Sequence, residues 1–370
     1  MNIKAFLLAA CVLLGAGCSQ PTRPSQREGS SSLSVVVLWD SSGVDSLHCS
    51  APVRGALVYL SSEYGLRTYT TDTRGICCCE GIPSSFYSFG VQANHPEDAT
   101  IKLVASKDSI NLAPGMSVVE TVYVKPVPKS GIVINEIFAA GPVNSMFYFF
   151  DQFVELYNAS DTLKYLDGMM VMRVSGNNKT EEGQQGPGVD QNGDGQIAGV
   201  TYAFRFPGQP GEKNHPIRPG QFVVIAAKAV DHRKLCPTSI DLTNADWEFF
   251  NQYAVNDIDN PTVPNLHNMI PERTVEFLIS LTSDIVVIST GVDSVWADGI
   301  DIRTIADGVE YQSSPPPTKR KTLDARVDRG WVQSAPKYSG QSMQRRQPGY
   351  DSNNGTLDFE VILHPTPGRQ

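Results

Sequence analysis

From Ser34 onward the apolar residues of this chain fall into short runs of strand length, each closed by turn formers: Ser34–Trp39, Ala56–Leu60, Leu66–Thr71, Ser85–Ala93 and Ser117–Val124. A side-chain period of two suits a pleated, half-buried strand and does not keep one face of a helix apolar. Segments of this size and spacing predict a small antiparallel sandwich. A Pro-rich joint follows at Lys125–Gly131, and apolar residues resume at once in Ile132–Ile137. The expected fold class is all-β, with two tandem β-sandwich domains over residues 32–126 and 131–370.

The second domain far exceeds the roughly 100 residues of a minimal sandwich. Its excess lies in two stretches read as insertions: 176–214, rich in Gly, Gln, Asn and Pro, and 232–273, which carries Trp247, Phe249, Phe250 and Tyr253 among many acids. Loops on a rigid scaffold vary without loss of stability, so binding is sought there first.

Two motif sets sharpen the reading. Pro52–Leu60, Thr70–Gly75 and Gly81–Tyr87, with Asp72 and Gly75 suited to a tight turn, resemble the carboxypeptidase-regulatory-like, transthyretin-type domain. In that family such domains are spacers or binding modules; here Cys77, Cys78 and Cys79 stand where it usually has plain strand residues. Asn135 and Glu136, then Asp151–Asn158, Leu166–Gly168 and Ile217–Ile225, resemble the lamin-tail immunoglobulin-like domain. Ser342–Arg345, Asp351–Asn354, Asp358, Phe359 and Thr366–Gly368 resemble that domain's closing segment.

At the start of the chain, Ala5–Gly17 is an uncharged run dominated by Ala, Leu and Val that ends in three small residues before Cys18. It is too short for a permanent membrane span and reads as a signal peptide over residues 1–17. Small residues followed by a cysteine resemble a bacterial lipobox, although Leu14 sits one place further from Cys18 than usual. The resemblance implies lipidation of Cys18 with palmitate-type chains; ordinary secretion with cleavage nearby is the rival. Residues 18–31 are polar, Pro- and Ser-rich, and read as a flexible tether. Ser19 in place of Asp resembles outer-membrane sorting, whereas surface-exported Bacteroidetes lipoproteins often carry acids that are missing here before Glu28. With the two domains, these features resemble a family of Bacteroidetes lipoproteins. That implies a lipid-anchored outer-membrane location, with the cell-surface side favoured over the periplasmic side.

The net charge of −9 becomes −10 once Lys4 leaves with the leader, because −9 − 1 = −10, which implies no general nucleic-acid partner. Charge is unevenly placed: residues 241–310 hold 13 Asp and Glu against Arg273 and Arg303, while 319–346 hold 8 Lys and Arg against Asp324 and Asp328. Beyond Cys18 the cysteines are Cys49, Cys77, Cys78, Cys79 and Cys236. On a strand, Cys77 and Cys79 share one face and Cys78 the other. In an oxidising compartment a bridge from Cys49 to one of the three is the expected use.

Asp190, Asn192, Asp194 and Gln196 reproduce the first half of a calcium loop, with Gly195 at the sharp turn. Thr201 stands where a bidentate Glu belongs, so calcium competes with a plain solvated turn; no other cofactor is called for. Asn135, Glu136, Asp151 and Glu155 could be mistaken for catalytic acids, but their places in strands suit turn bonding and sandwich edges. Serine-hydrolase elbows, zinc-protease helices and phosphate loops are missing from the sequence. Met146–Phe150 and Trp247–Phe250 are aromatic clusters, and Phe147, Tyr148, Trp247, Phe249 and Phe250 are candidates for docking as well as for core filling. The triplets at Asp45, Asp108, Asp161 and Asp293 resemble a Bacteroidetes O-glycosylation acceptor, which points to Ser46, Ser109, Thr162 and Ser294.

The expected function is non-catalytic: a membrane-anchored binding or accessory module, partnered with an outer-membrane β-barrel such as a TonB-dependent transporter. A calcium-stiffened surface adhesin is the alternative, and a hydrolase stands third.

Overall fold

The computed structural model describes residues 29–40, 50–96, 101–128, 131–174, 188, 190, 192–313 and 322–370. All five expected segments of the first domain lie in strands. β1 (Ser31–Asp40) runs parallel to β8 (Ser117–Pro128) and antiparallel to β2 (Ser50–Pro52) and β5 (Ile76–Ile82). β3 (Leu57–Ser62) sits between β4 (Gly65–Thr70) and β6 (Ser85–Asn94), and β6 pairs with β7 (Ile101–Leu112). The end of β8 returns to pair with the start of β7, joining the two halves at one corner. Leu33, Val35, Val58, Leu60, Phe89 and Val91 fill the space between them.

The second domain stacks two six-stranded sheets. One has the order β14-β13-β10-β9-β19-β20, from Trp247–Glu248 (β14), Phe222–Ala226 (β13), Phe153–Asn158 (β10), Ile132–Phe138 (β9), Ser342–Arg345 (β19) and Phe359–Ile362 (β20). The other has the order β15-β12-β11-β16-β17-β18, from His267–Asn268 (β15), Val200–Arg205 (β12), Met170–Val174 (β11), Ser283–Ser289 (β16), Ile305–Gln312 (β17) and Val332–Gln333 (β18). Ile134, Leu156, Phe204, Ile225, Phe249, Phe277 and Ile288 pack between the sheets. Among the described residues the only α-helix is the single turn α1 (Gly355–Asp358), and no helix is long and apolar enough to cross a membrane.

The structure corrects one boundary. Within the stretch 176–214 read as an insertion, Val200–Arg205 is a sandwich strand, paired with Met170–Val174 on one side and His267–Asn268 on the other. Tyr202, Ala203 and Phe204 are buried, and the polar, Gly-rich flanks hid this strand from sequence reading. Residues 232–273 also return to the sheets, through β14 and β15, and cover their edges between.

Arg345 is the largest fully buried side chain. Its guanidinium donates to the carbonyls of Ile134 and Tyr350 and to Asp307, each at 2.7 Å, and to Asp358 at 3.3 Å. Asp351 lies at 3.6 Å. Burial works against this charge, yet Asp307, Asp351 and Asp358 hold the Arg345 pKa above its usual value. Beside it the two sandwiches touch: Tyr350 lies on Tyr59 with ring centroids 4.0 Å apart. Gly90 of β6 faces α1 so closely that a Cβ there would come within 2.9 Å of Leu357.

Candidate docking site

Sequence reading singled out Met146–Phe150, and the structure divides that cluster. The loop from Gly141 to Phe150 is folded around Asn144, whose Oδ1 accepts from the backbone N–H of Met146 at 3.1 Å and of Tyr148 at 2.9 Å. Its Nδ2 donates to the carbonyls of Pro142 and Tyr148. Tyr148 turns inward, its hydroxyl 2.5 Å from Nδ1 of buried His232, whose Nε2 meets the carbonyl of Lys228 at 2.9 Å. These partners place the His232 proton on Nε2 and leave Nδ1 to accept from Tyr148. Burial keeps the His232 pKa below its usual value. Asp151 accepts from Ser239, and Thr238 donates to the carbonyl of Val143, so three points pin the loop to the 232–239 segment.

Phe147 is left at the summit. It is 70% exposed, with φ of 60°. Tyr338, with φ of 55°, meets its ring edge-on at 5.8 Å. Left-handed backbone in a bulky residue costs of order 1–3 kcal/mol and persists only where the surroundings impose it. Val143, Met146 and Leu235 are also largely exposed on the two segments that meet here. The result is an apolar tip, fixed from below and carrying an aromatic ring into solvent.

The other candidate aromatics serve the core. Trp247 and Phe249 are buried between the sheets, Phe249 stacked on Phe277 with centroids 3.9 Å apart, and Phe250 is half-buried. Tyr148 is a buried anchor. Tyr338 carried no sequence signal, because only the fold brings it to Phe147.

The acids have a structural use. Glu136 and Glu155 stand opposite each other on β9 and β10. Glu136 accepts from Ser342, Gln344 and the N–H of Thr366, and Glu155 accepts from Asn135 and the N–H of Gly368. The two carboxyls thus clamp the C-terminal tail to the sheet. Burial pushes Glu155 up to about 8 and raises Glu136, while Asp151 is pushed up to about 6, also by burial. A carboxyl whose folded pKa is raised gives its stability fully below the ordinary value of 4.5 and loses it as pH rises through the folded value. Melting temperature is therefore expected to fall from pH 4.5 to about pH 8, and Glu155→Gln should flatten that slope; an unchanged slope would remove Glu155 as its cause.

In the loop read as half a calcium site, Asp190 accepts from the N–H groups of Gly193 and Gly195 and from Arg326 at 2.7 Å. Asp194 accepts from Asn192 and from the N–H of Gln196. A guanidinium supplies the positive charge here. Among the described residues no group of three His, Cys, Asp or Glu is placed to hold a metal. Cys77 and Cys79 face the core with sulfurs 3.8 Å apart and Cys78 faces out, as the alternation predicted; all three are free thiols. Cys49, Cys18 and Ser46 lie outside the described residues. Ser109 and Thr162 are exposed and Ser294 is half-buried.

Residues 218–296, which include Lys228, His232, Leu235, Trp247 and Phe249, match the model of a family described as a protein of unknown function (DUF4876). The crystal structure of a DUF4876 family protein from Bacteroides thetaiotaomicron is similar over 91% of this chain and 95% of that one, at 20% identity and a TM-score of 0.54. This likeness is one of fold. A DUF3823 family protein from Bacteroides ovatus aligns over 53% of this chain and 89% of its own at 11% identity, with a TM-score of 0.19. No curated protein matches the sequence.

Proposed function

We propose that this chain is a lipid-anchored envelope protein that performs no reaction of its own and docks, through the Phe147 tip, onto a protein of the outer membrane of the β-barrel transporter kind. The observation that carries this is the exposed Phe147 ring, held in strained backbone by buried anchors. A loop that had only to close would place Gly at position 147, since Gly adopts that backbone freely. Aromatic side chains presented on a rigid base are the usual anchors of protein interfaces, because little ordering entropy remains to be lost on binding. The clamping of Glu136 and Glu155 by the tail supports a scaffold role for the acids that most resembled catalysts.

Anchoring at Cys18 favours a membrane partner.

The test is detergent extraction of native membranes followed by pull-down and identification of co-purifying proteins. Wild type is expected to bring down a defined barrel protein, and Phe147→Asp to reduce its recovery at least tenfold with an unchanged melting temperature. Repeated recovery of the wild type alone at native abundance, or equal recovery by the variant, defeats the reading. Binding of wild type, but not Phe147→Asp, to protein-free vesicles would assign the tip to lipid instead.

A further inference from the structure

Lys228 follows directly on β13, and its side chain is only 9% exposed. Its Nζ lies 3.9 Å from Oδ1 of Asp257, whose side chain is fully buried, and 3.5 Å from Oε1 of Glu276. The ring of Phe150 covers the amine at 4.8 Å from its centroid. A primary amine and two carboxyl groups thus meet beneath one aromatic ring. As an ion pair this arrangement adds little stability, because desolvating the charges offsets their attraction.

We propose that Lys228 and Asp257 condense to an intramolecular amide, with Glu276 relaying the protons. One proton first passes from the lysine ammonium to the aspartate, cancelling the two opposite charges. The Nζ lone pair then attacks Cγ of Asp257, forming the C–N bond. Glu276 takes the extra proton from nitrogen and returns it to the departing hydroxyl, so the C–O bond breaks and one water leaves. Nothing is oxidised or reduced, and no cofactor is consumed.

The surroundings of Asp257 suit this chemistry. Its Oδ1 accepts from the N–H of Ile258 at 3.0 Å and its Oδ2 from the N–H of Asn251 at 2.9 Å. Fixed backbone donors on the carboxyl oxygens stabilise the negative charge of a tetrahedral adduct. Burial raises the Asp257 pKa, which favours the neutral acid that can lose water. Positioned groups held side by side gain a large effective concentration. The bond would staple the turn around Asp257 to the end of β13, in a chain whose described cysteines are all free.

The test is tryptic mapping of the purified full chain by mass spectrometry. The expected result is loss of cleavage after Lys228, with its peptide joined to the peptide holding Asp257 and the pair lighter by one water. Lys228→Arg and Glu276→Gln should each give the two peptides separately at full mass. Wild-type protein that unfolds cooperatively yet yields only separate, unmodified peptides overturns the proposal, whether or not either variant folds. A joined peptide in Glu276→Gln overturns the relay.

Discussion

Arg345→Ala is expected to destabilise the second sandwich by about 3–5 kcal/mol, enough to leave much of the protein unfolded at growth temperature. The cost comes from what remains after the cation is removed. Asp307 and Asp358 are both buried and both lean on the guanidinium, and the carbonyls of Ile134 and Tyr350 lose their donor. Burial already raises the pKa of both carboxyls against the pull of Arg345, so without it each is driven to the protonated form. Arg345→Lys should recover only part of the loss, because one ammonium does not reach four acceptors set around a planar fork. Denaturant midpoints of the three proteins check this; a loss below about 1 kcal/mol for the alanine variant would show the cluster to be incidental.

Phe249→Ala should cost about 3–5 kcal/mol, whereas Phe147→Ala should cost almost nothing. The two residues read alike in sequence, each an aromatic in a cluster beside a connection. In the structure Phe249 is wholly buried, stacked on Phe277 and met edge-on by Phe204 at 5.3 Å, so truncation opens a cavity among rigid rings. Phe147 faces solvent, so its truncation opens no cavity, and Ala at this φ keeps the Cβ and the backbone strain with it. Thermal unfolding separates the cases: a lowered melting temperature for Phe249→Ala with intact partner recovery, and the opposite pattern for Phe147→Ala. Equal melting temperatures for the two variants would mean that the core assignment of Phe249 is mistaken.

These pairs mark what local pattern can carry. Short alternating or apolar runs closed by turn residues located the strands Ser34–Trp39 and Ser85–Ala93. This pattern missed Ile101–Leu112, where the register with β6 shifts between Tyr87 and Phe89 and Ser109 takes φ of 61°, so the apolar residues fall out of step. It also missed Val200–Arg205, whose short buried run is drowned by polar flanks. The closing motif around Arg345, Asp351 and Asp358 was legible as a group, yet Asp307, 38 residues upstream of Arg345, was not. At the docking tip, the aromatic cluster was visible but its division was not. Whether Tyr148 or Phe147 turns inward depends on His232, 84 residues from Tyr148. The amine–carboxyl cluster was equally hidden, since Lys228 and Asp257 lie in different elements.

The hydrogen that serves as the side chain of Gly90 has a mechanical consequence. Tension applied between the N-terminus and the second sandwich would pass through both domains. With Leu357 seated on Gly90 and Tyr350 on Tyr59, that load crosses between the sandwiches through packed side chains as well as along the backbone that joins them. Under tension the pair acts as one stiff strut. A larger side chain at position 90 would have to displace the end of Leu357 and crowd Ser352, loosening that contact.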